Sequence, residues 1–192
     1  KIITDLITEE YENKEALGSN LKAAALGYKY ITENYSKEKT DLLKPFKSEP
    51  KMVLNGNEAI ALGAISAGMK FAAIYPMSPV SGILHILAAH QNDYDYIYKQ
   101  PEDEISAINM AIGASFAGAR SLVATSGGGF CLMAEGYGLA GMTETPLVII
   151  EGMRGAPATG MPTWSEQGDL RFVLHTHQGD FPRIVLAPGD VN

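Results

Sequence analysis

From Lys51 onward, short apolar runs alternate with stretches whose apolar residues recur at helical spacing. Asn55-Gly56-Asn57-Glu58 leads into a small-residue helix over Ala59 to Met69, with Asn55 or Asn57 as its cap. Phe71 to Tyr75 is a short apolar strand that stops at Pro76-Met77-Ser78-Pro79. A helix over Val80 to His90 and a strand over Tyr94 to Lys99 follow. Ile105, Ile108, Ile112, Ser115, Phe116 and Ala119 fall on one face of a helix over Glu104 to Ala119. The continuous apolar run Ser121 to Thr125 meets Ser126-Gly127-Gly128-Gly129, after which helix Phe130 to Met142 is expected. Pro146 introduces a strand over Leu147 to Glu151. A loop rich in Gly, Pro and Thr comes next, and Arg183 to Leu186 reads as one more strand. Continuously apolar strands alternating with helices predict an α/β fold, a doubly wound parallel sheet with helices on both faces.

The texture before residue 50 differs. Residues 1–44 are polar and helical in pattern, and Leu21, Ala24, Ala25, Tyr28 and Ile31 mark one amphipathic helix. Two prolines bracket the polar stretch Pro45 to Pro50, which reads as a linker. Residues 1–50 are therefore expected to be the tail of a preceding helical domain plus its connector, and residues 51–192 a separate α/β domain. The start at Lys1 and the stop at Pro188-Gly189-Asp190-Val191-Asn192 suggest a fragment.

Composition narrows the partners. The net charge of −7, with no basic cluster, argues against nucleic acid or an anionic membrane surface. No apolar run approaches the roughly 20 residues of a membrane span. A single cysteine, Cys131, leaves no internal disulfide framework and points to the cytoplasm. It also cannot hold an iron–sulfur cluster by itself, since a cluster normally takes several thiolates.

In a doubly wound sheet the segments after the strands gather at its carboxyl edge, where such folds bind ligands. Here they are Pro76 to Pro79, Gln100 to Glu104, Ser126 to Gly129 and Met153 to Thr163. Glu102-Asp103-Glu104 stands where a strand hands over to a helix, denser in acid than the helix dipole alone calls for. Ser126 to Gly129 has bare amides that suit an anion, yet it lacks the Gly-Lys-Ser/Thr ending of a nucleotide loop. It also reads as a tight turn closely approached by a ligand ring or a partner subunit. Pro76 to Ser81 is either a rigid turn with a helix cap or a device for fixing the Ser78 hydroxyl. Arg154, between Gly152 and Gly155, has a guanidinium suited to a carboxylate, although loop arginines are commonly plain surface residues. His85 and His90 stand at helical spacing, which places them toward solvent or core rather than a metal, and His175-Thr176-His177 has no nearby acid or cysteine completing a metal site.

Six segments in order carry a resemblance: Gly56-Asn57-Glu58-Ala59, Tyr75-Pro76-Met77-Ser78-Pro79, Glu102-Asp103-Glu104-Ile105, Gly113 to Arg120, Thr125-Ser126-Gly127-Gly128-Gly129 and Arg154 to Gly160. Together they resemble the α subunit of 2-oxoacid:ferredoxin oxidoreductases of the 2-oxoglutarate, KorA-like type, over residues 51–192. The resemblance implies the pyrimidine-binding domain of a thiamine diphosphate enzyme, preceded in residues 1–50 by the end of a γ-type domain. Glu104 then contacts the N1′ nitrogen of the cofactor's aminopyrimidine and is the catalytic acid. Thr125, Ser126 and Gly127 lie near the pyrimidine, while the Ser78 hydroxyl and Arg154 take the substrate carboxylate. Ser78 stands where many relatives have threonine, and Gly128 where they often have proline.

The resemblance also implies missing parts. These 192 residues contain no Gly-Asp-Gly motif with a following Asn, and no cysteine-rich ferredoxin-like segment. A β subunit is therefore expected to bring the diphosphate and Mg²⁺ half of the cofactor site and an iron–sulfur cluster. Coenzyme A and ferredoxin serve as acyl and electron acceptors. The competing readings are the equivalent domain of a non-redox thiamine diphosphate decarboxylase or synthase, and a non-catalytic α/β assembly module.

Overall fold

Four strands, β1 (Phe71–Ala73), β2 (Ile97–Lys99), β3 (Ser121–Thr125) and β4 (Val148–Glu151), form one sheet in the order β2-β1-β3-β4, and every pairing is parallel. The computed structural model describes residues 1–11, 14–35, 49 and 51–191, with the backbone alone at 14 and 15. They fall into two units, Lys1–Lys51 and Met52–Asn192. In the first, α1 (Ile2–Glu10) and α2 (Lys14–Asn34) are helical. The predicted stripe lies on α2, but its Tyr28 and Ile31 are exposed. The helical reading of residues 36–44 and the Pro45–Pro50 linker, Glu49 apart, lie outside the described residues.

The second unit is wound as the pattern predicts, because successive strand residues point to opposite faces. Ala72, Leu122, Ala124 and Ile150 pack with Ala61 of α3 (Gly56–Ser66) and Ile83, Leu84 and Leu87 of α4 (Ser81–His90). Ala73, Val123 and Ile149 pack on the other face with Ala107, Ile108, Ala111 and Ile112 of α5 (Glu104–Phe116) and Phe130, Met133 and Ala140 of α6 (Gly127–Met142). The chain steps from β1 to β2 through α4 on one face. It returns to β3 through α5 and goes on to β4 through α6 on the other, as right-handed crossovers require. The direction of winding reverses between β1 and β3, and it is outside the carboxyl ends of strands at such a switch point that sheets of this kind bind ligands.

Local chemistry sets the ends of the helices. At α3, Asn55 Oδ1 accepts the Glu58 N–H at 3.0 Å while Glu58 Oε2 accepts the Asn55 N–H at 2.7 Å, a reciprocal capping box. The helices expected to run to Met69 and Ala119 stop at Ser66 and Phe116, just before Gly68 (φ 79°) and Gly118 (φ 96°) turn the backbone left-handed. Two further expectations are corrected. Arg183 to Leu186 is not a strand. Arg183 lies over the Tyr137 and Phe181 rings and donates to Leu174 O, while Ile184 and Leu186 are exposed without a ladder partner. The loop after β4 contains α7 (Leu170–His175), six residues that are too short for periodicity to reveal.

Candidate functional site

At the start of α5 two neighbouring acids do different work. Asp103 is the cap: its Oδ1 accepts the Ser106 N–H at 2.6 Å, and that bond holds its carboxyl below the usual range. Glu104, the first helical residue, is 3% exposed and turns inward. Glu102 is exposed and takes no part.

What Glu104 meets is the start of α6. The helix begins at Gly127, so the three glycines are its first turn and not the free-standing turn expected from sequence. Each makes room for a different part of this same chain. A Cβ at Gly129 would collide with Thr125 Oγ1 and lie 2.7 Å from Glu104 Oε1. At Gly128 it would lie 3.3 Å from Ala158 O, and at Gly127 it would collide with the Asp169 carboxylate. Within this chain, the groups that approach the three glycines closely are Glu104, Ala158 and Asp169. Ser126, the N-cap, is 1% exposed, yet its hydroxyl caps nothing and has no hydrogen-bond partner. A buried hydroxyl left so costs roughly 1–3 kcal/mol, so it calls for a partner of some kind.

The loops after β1 and β4 are joined. Arg154 Nη1 donates to Ser78 O at 2.9 Å and Nη2 to Thr159 O at 3.1 Å, which leaves other guanidinium N–H groups for a ligand. Within the second loop, Ala156 N donates to Glu166 Oε2 at 3.0 Å and Gly155 N to Trp164 O at 3.0 Å. Met77, next to Ser78, accepts the Thr125 hydroxyl through its Sδ at 3.9 Å. The structure thus brings Glu104 and Thr125 together, brings Ser78 and Arg154 together, and links the two groups through Met77. Among the described residues no group of His, Cys, Asp and Glu is placed to hold a metal ion.

One pair has no counterpart in the sequence reading. Glu151 ends β4 in register with Thr125, and both its carboxyl oxygens are buried, with the Asp169 carboxyl beside them and no other hydrogen-bonding partner among the described residues. Burial first, and then the facing Asp169 carboxylate, push the Glu151 carboxyl up to about 8. Two carboxylates side by side need a proton between them, and the carboxylate of Asp169 also lies against Gly127 at the positive end of α6. Nothing in the spacing of residues 151 and 169 announces this pair.

Residues 62–192 match the family described as pyruvate flavodoxin/ferredoxin oxidoreductase, thiamine diphosphate-binding. The chain belongs to this family. Among its relatives, the 2-oxoacid:ferredoxin oxidoreductase subunit alpha of Saccharolobus solfataricus is 40% identical over 196 residues, covering 96% of this chain and 30% of the relative. The 2-oxoglutarate synthase subunit KorA of Archaeoglobus fulgidus is 48% identical over 139 residues, covering 72% and 40%. In structure, the chain superposes with a TM-score of 0.86 and 35% identity on a 2-oxoglutarate:ferredoxin oxidoreductase from Magnetococcus marinus, solved with 2-oxoglutarate, coenzyme A and succinyl-CoA bound. That match covers 98% of this chain and 33% of the solved one. The chain therefore spans 30% to 40% of the length of these members of the family. Among the described residues, no helix is long and apolar enough to cross a membrane.

Proposed function

We propose that this chain is the pyrimidine-binding part of the α subunit of a 2-oxoacid:ferredoxin oxidoreductase of the 2-oxoglutarate type. Its reaction is the oxidative decarboxylation of a 2-oxoacid to an acyl-CoA and CO₂, with the released electron pair passed to ferredoxin. The single observation that carries this reading is Glu104, a carboxylate buried at the carboxyl edge of the sheet and seated against a glycine turn. The donor set suits thiamine diphosphate: an inward-facing acid for the ring N1′, with the partnerless Ser126 hydroxyl, Thr125 and Gly127 beside it. When bound, thiamine diphosphate supplies the electron sink that decarboxylation of a 2-oxoacid requires. Glu104 holds a proton at N1′. Ser78 and Arg154, already joined through Ser78 O, orient the substrate carboxylate.

The rest of the active complex comes from other chains. A β subunit carries the diphosphate, Mg²⁺ and an iron–sulfur cluster, and coenzyme A accepts the acyl group. The exposed apolar residues of α5 and α6 support a subunit partner: Phe116 and Met142 are 77% and 85% exposed, and Ile105, Met110 and Leu132 on the same two helices are exposed as well. Residues 1–50 are read as the end of a γ-type domain and residues 51–192 as the α part, working in the cytoplasm as a single free cysteine suits.

Glu104→Gln in the assembled complex tests the reading. The variant keeps the shape and loses the carboxyl that would hold the proton at N1′, so 2-oxoacid-dependent ferredoxin reduction should fall by about 100-fold or more while the complex still assembles. Near-normal turnover would remove Glu104 from the proposed role.

A further inference from the structure

The turn that carries Ser78 is anchored by packing at its ends, where Met77 lies against the core and Val80 is buried in it, while Ser78 itself is placed by hydrogen bonds. Its two prolines offer no N–H, and Pro79 and Val80 line an open pocket of about 360 Å³ together with Asn57, Ile83 and Gly152 among others. One bond closes the turn on itself, Val80 N to Met77 O at 2.9 Å. Two more hold it from outside, each at a carbonyl that flanks the hydroxyl. Arg154 Nη1 reaches Ser78 O at 2.9 Å, and Asn57 Nδ2 of α3 reaches Pro79 O at 3.1 Å.

The surroundings are shaped for that second bond. A Cβ at Gly82 of α4 would lie 2.6 Å from Asn57 Nδ2, so the glycine lets the amide in. A Cβ at Gly152 would lie 2.6 Å from Val80 Cγ1 and 3.1 Å from Pro79 Cγ, so the strand end also yields space to the turn. Asn57 takes no part in capping its own helix, which Asn55 and Glu58 accomplish.

We infer that Asn57 is a positioning residue for substrate: acting through Pro79 O and opposite Arg154, it sets the place of the Ser78 hydroxyl that meets the 2-oxoacid carboxylate. This rests on the activity proposed above and assigns a further residue to the same site. A shifted hydroxyl weakens the hold on the substrate carboxylate and leaves later steps alone.

The test uses the full chain assembled with its partner subunits. Asn57→Ala should raise KM for the 2-oxoacid about fivefold, the factor one net hydrogen bond is worth, with kcat and KM for coenzyme A changed less than about twofold. Asn57→Asp has the same shape without the N–H and should do likewise. Gly82→Ala, which crowds the amide out, should give the same split, and combining it with Asn57→Ala should add nothing. Once Ser78→Ala is present, Asn57→Ala should have no further effect on KM, whereas a merely structural residue would subtract activity in both backgrounds. Hydrogen exchange at the Val80 amide should quicken in Asn57→Ala, and this is read without turnover. A wild-type complex inert toward 2-oxoacids would overturn the activity, and the exchange measurement would still judge the clamp. Unchanged exchange, or a KM effect as large without Ser78 as with it, overturns the inference.

Discussion

Asp103, Glu104, Glu151 and Asp169 all sit at one edge of the sheet, yet their surroundings give them different chemistry. A backbone N–H favours the charged form of Asp103, while burial and an acidic neighbour favour the neutral form of Glu151. The consequence for Glu151 has a definite sign. The unfolded chain releases this proton near the ordinary 4.5, whereas the fold keeps it to about 8. Its favourable contribution is therefore complete below about 4.5, fades as pH rises through the window, and is gone above about 8. Denaturant titrations at a series of pH values should show that fall, and Glu151→Gln should flatten it. An equally steep slope in the variant would mean that another group is responsible. Of these four acids, Asp103 and Glu104 stood out in the sequence as part of an acidic cluster between a strand, a proline and a helix, and the family resemblance singled out Glu104. The Glu151–Asp169 pair did not, because only the path of the folded chain brings the two residues together.

Among the elements, α6 shows how one residue type can serve opposite ends. Gly129 faces Glu104 and Thr125, whereas Gly138, further along the same helix, has nothing within 4 Å of a would-be Cβ. Gly129→Ala should destabilise the domain by about 1–3 kcal/mol through overpacking, and should suppress turnover by displacing Glu104. Gly138→Ala should stabilise it by roughly 0.5–1 kcal/mol, as alanine does within a helix. Thermal melts of the two variants, with turnover in the complex, check both. The hydrophobic pattern revealed the strand and helix sequence well, since β1 is apolar throughout and β3 is buried at every position. It placed the ends less well. Left-handed glycines cut two helices short, the first turn of α6 was hidden by glycine's weak helical preference, and α7 is shorter than two turns.

At the scale of the whole molecule, the winding of the chain gathers the candidate residues at the carboxyl edge of the sheet and leaves the core on two faces. On one of those faces Ile108 is fully buried, while Ile105 of the same helix is half exposed. Ile108→Ala should cost about 2–5 kcal/mol in denaturant unfolding, and Ile105→Ala within about 0.5 kcal/mol. A larger loss at Ile105 in the assembled complex than in the chain alone would mark a partner on that face. The three glycines opening α6 also have a meaning for inheritance. Each is constrained by a different stretch of chain: Gly127 by Asp169, Gly128 by Ala158, and Gly129 by Glu104 and Thr125. A drift at Gly127 or Gly129, where a Cβ would come within 3 Å of a side chain, can persist only if its own distant counterpart yields too. The history of this edge should therefore be written in matched pairs of changes rather than in single ones.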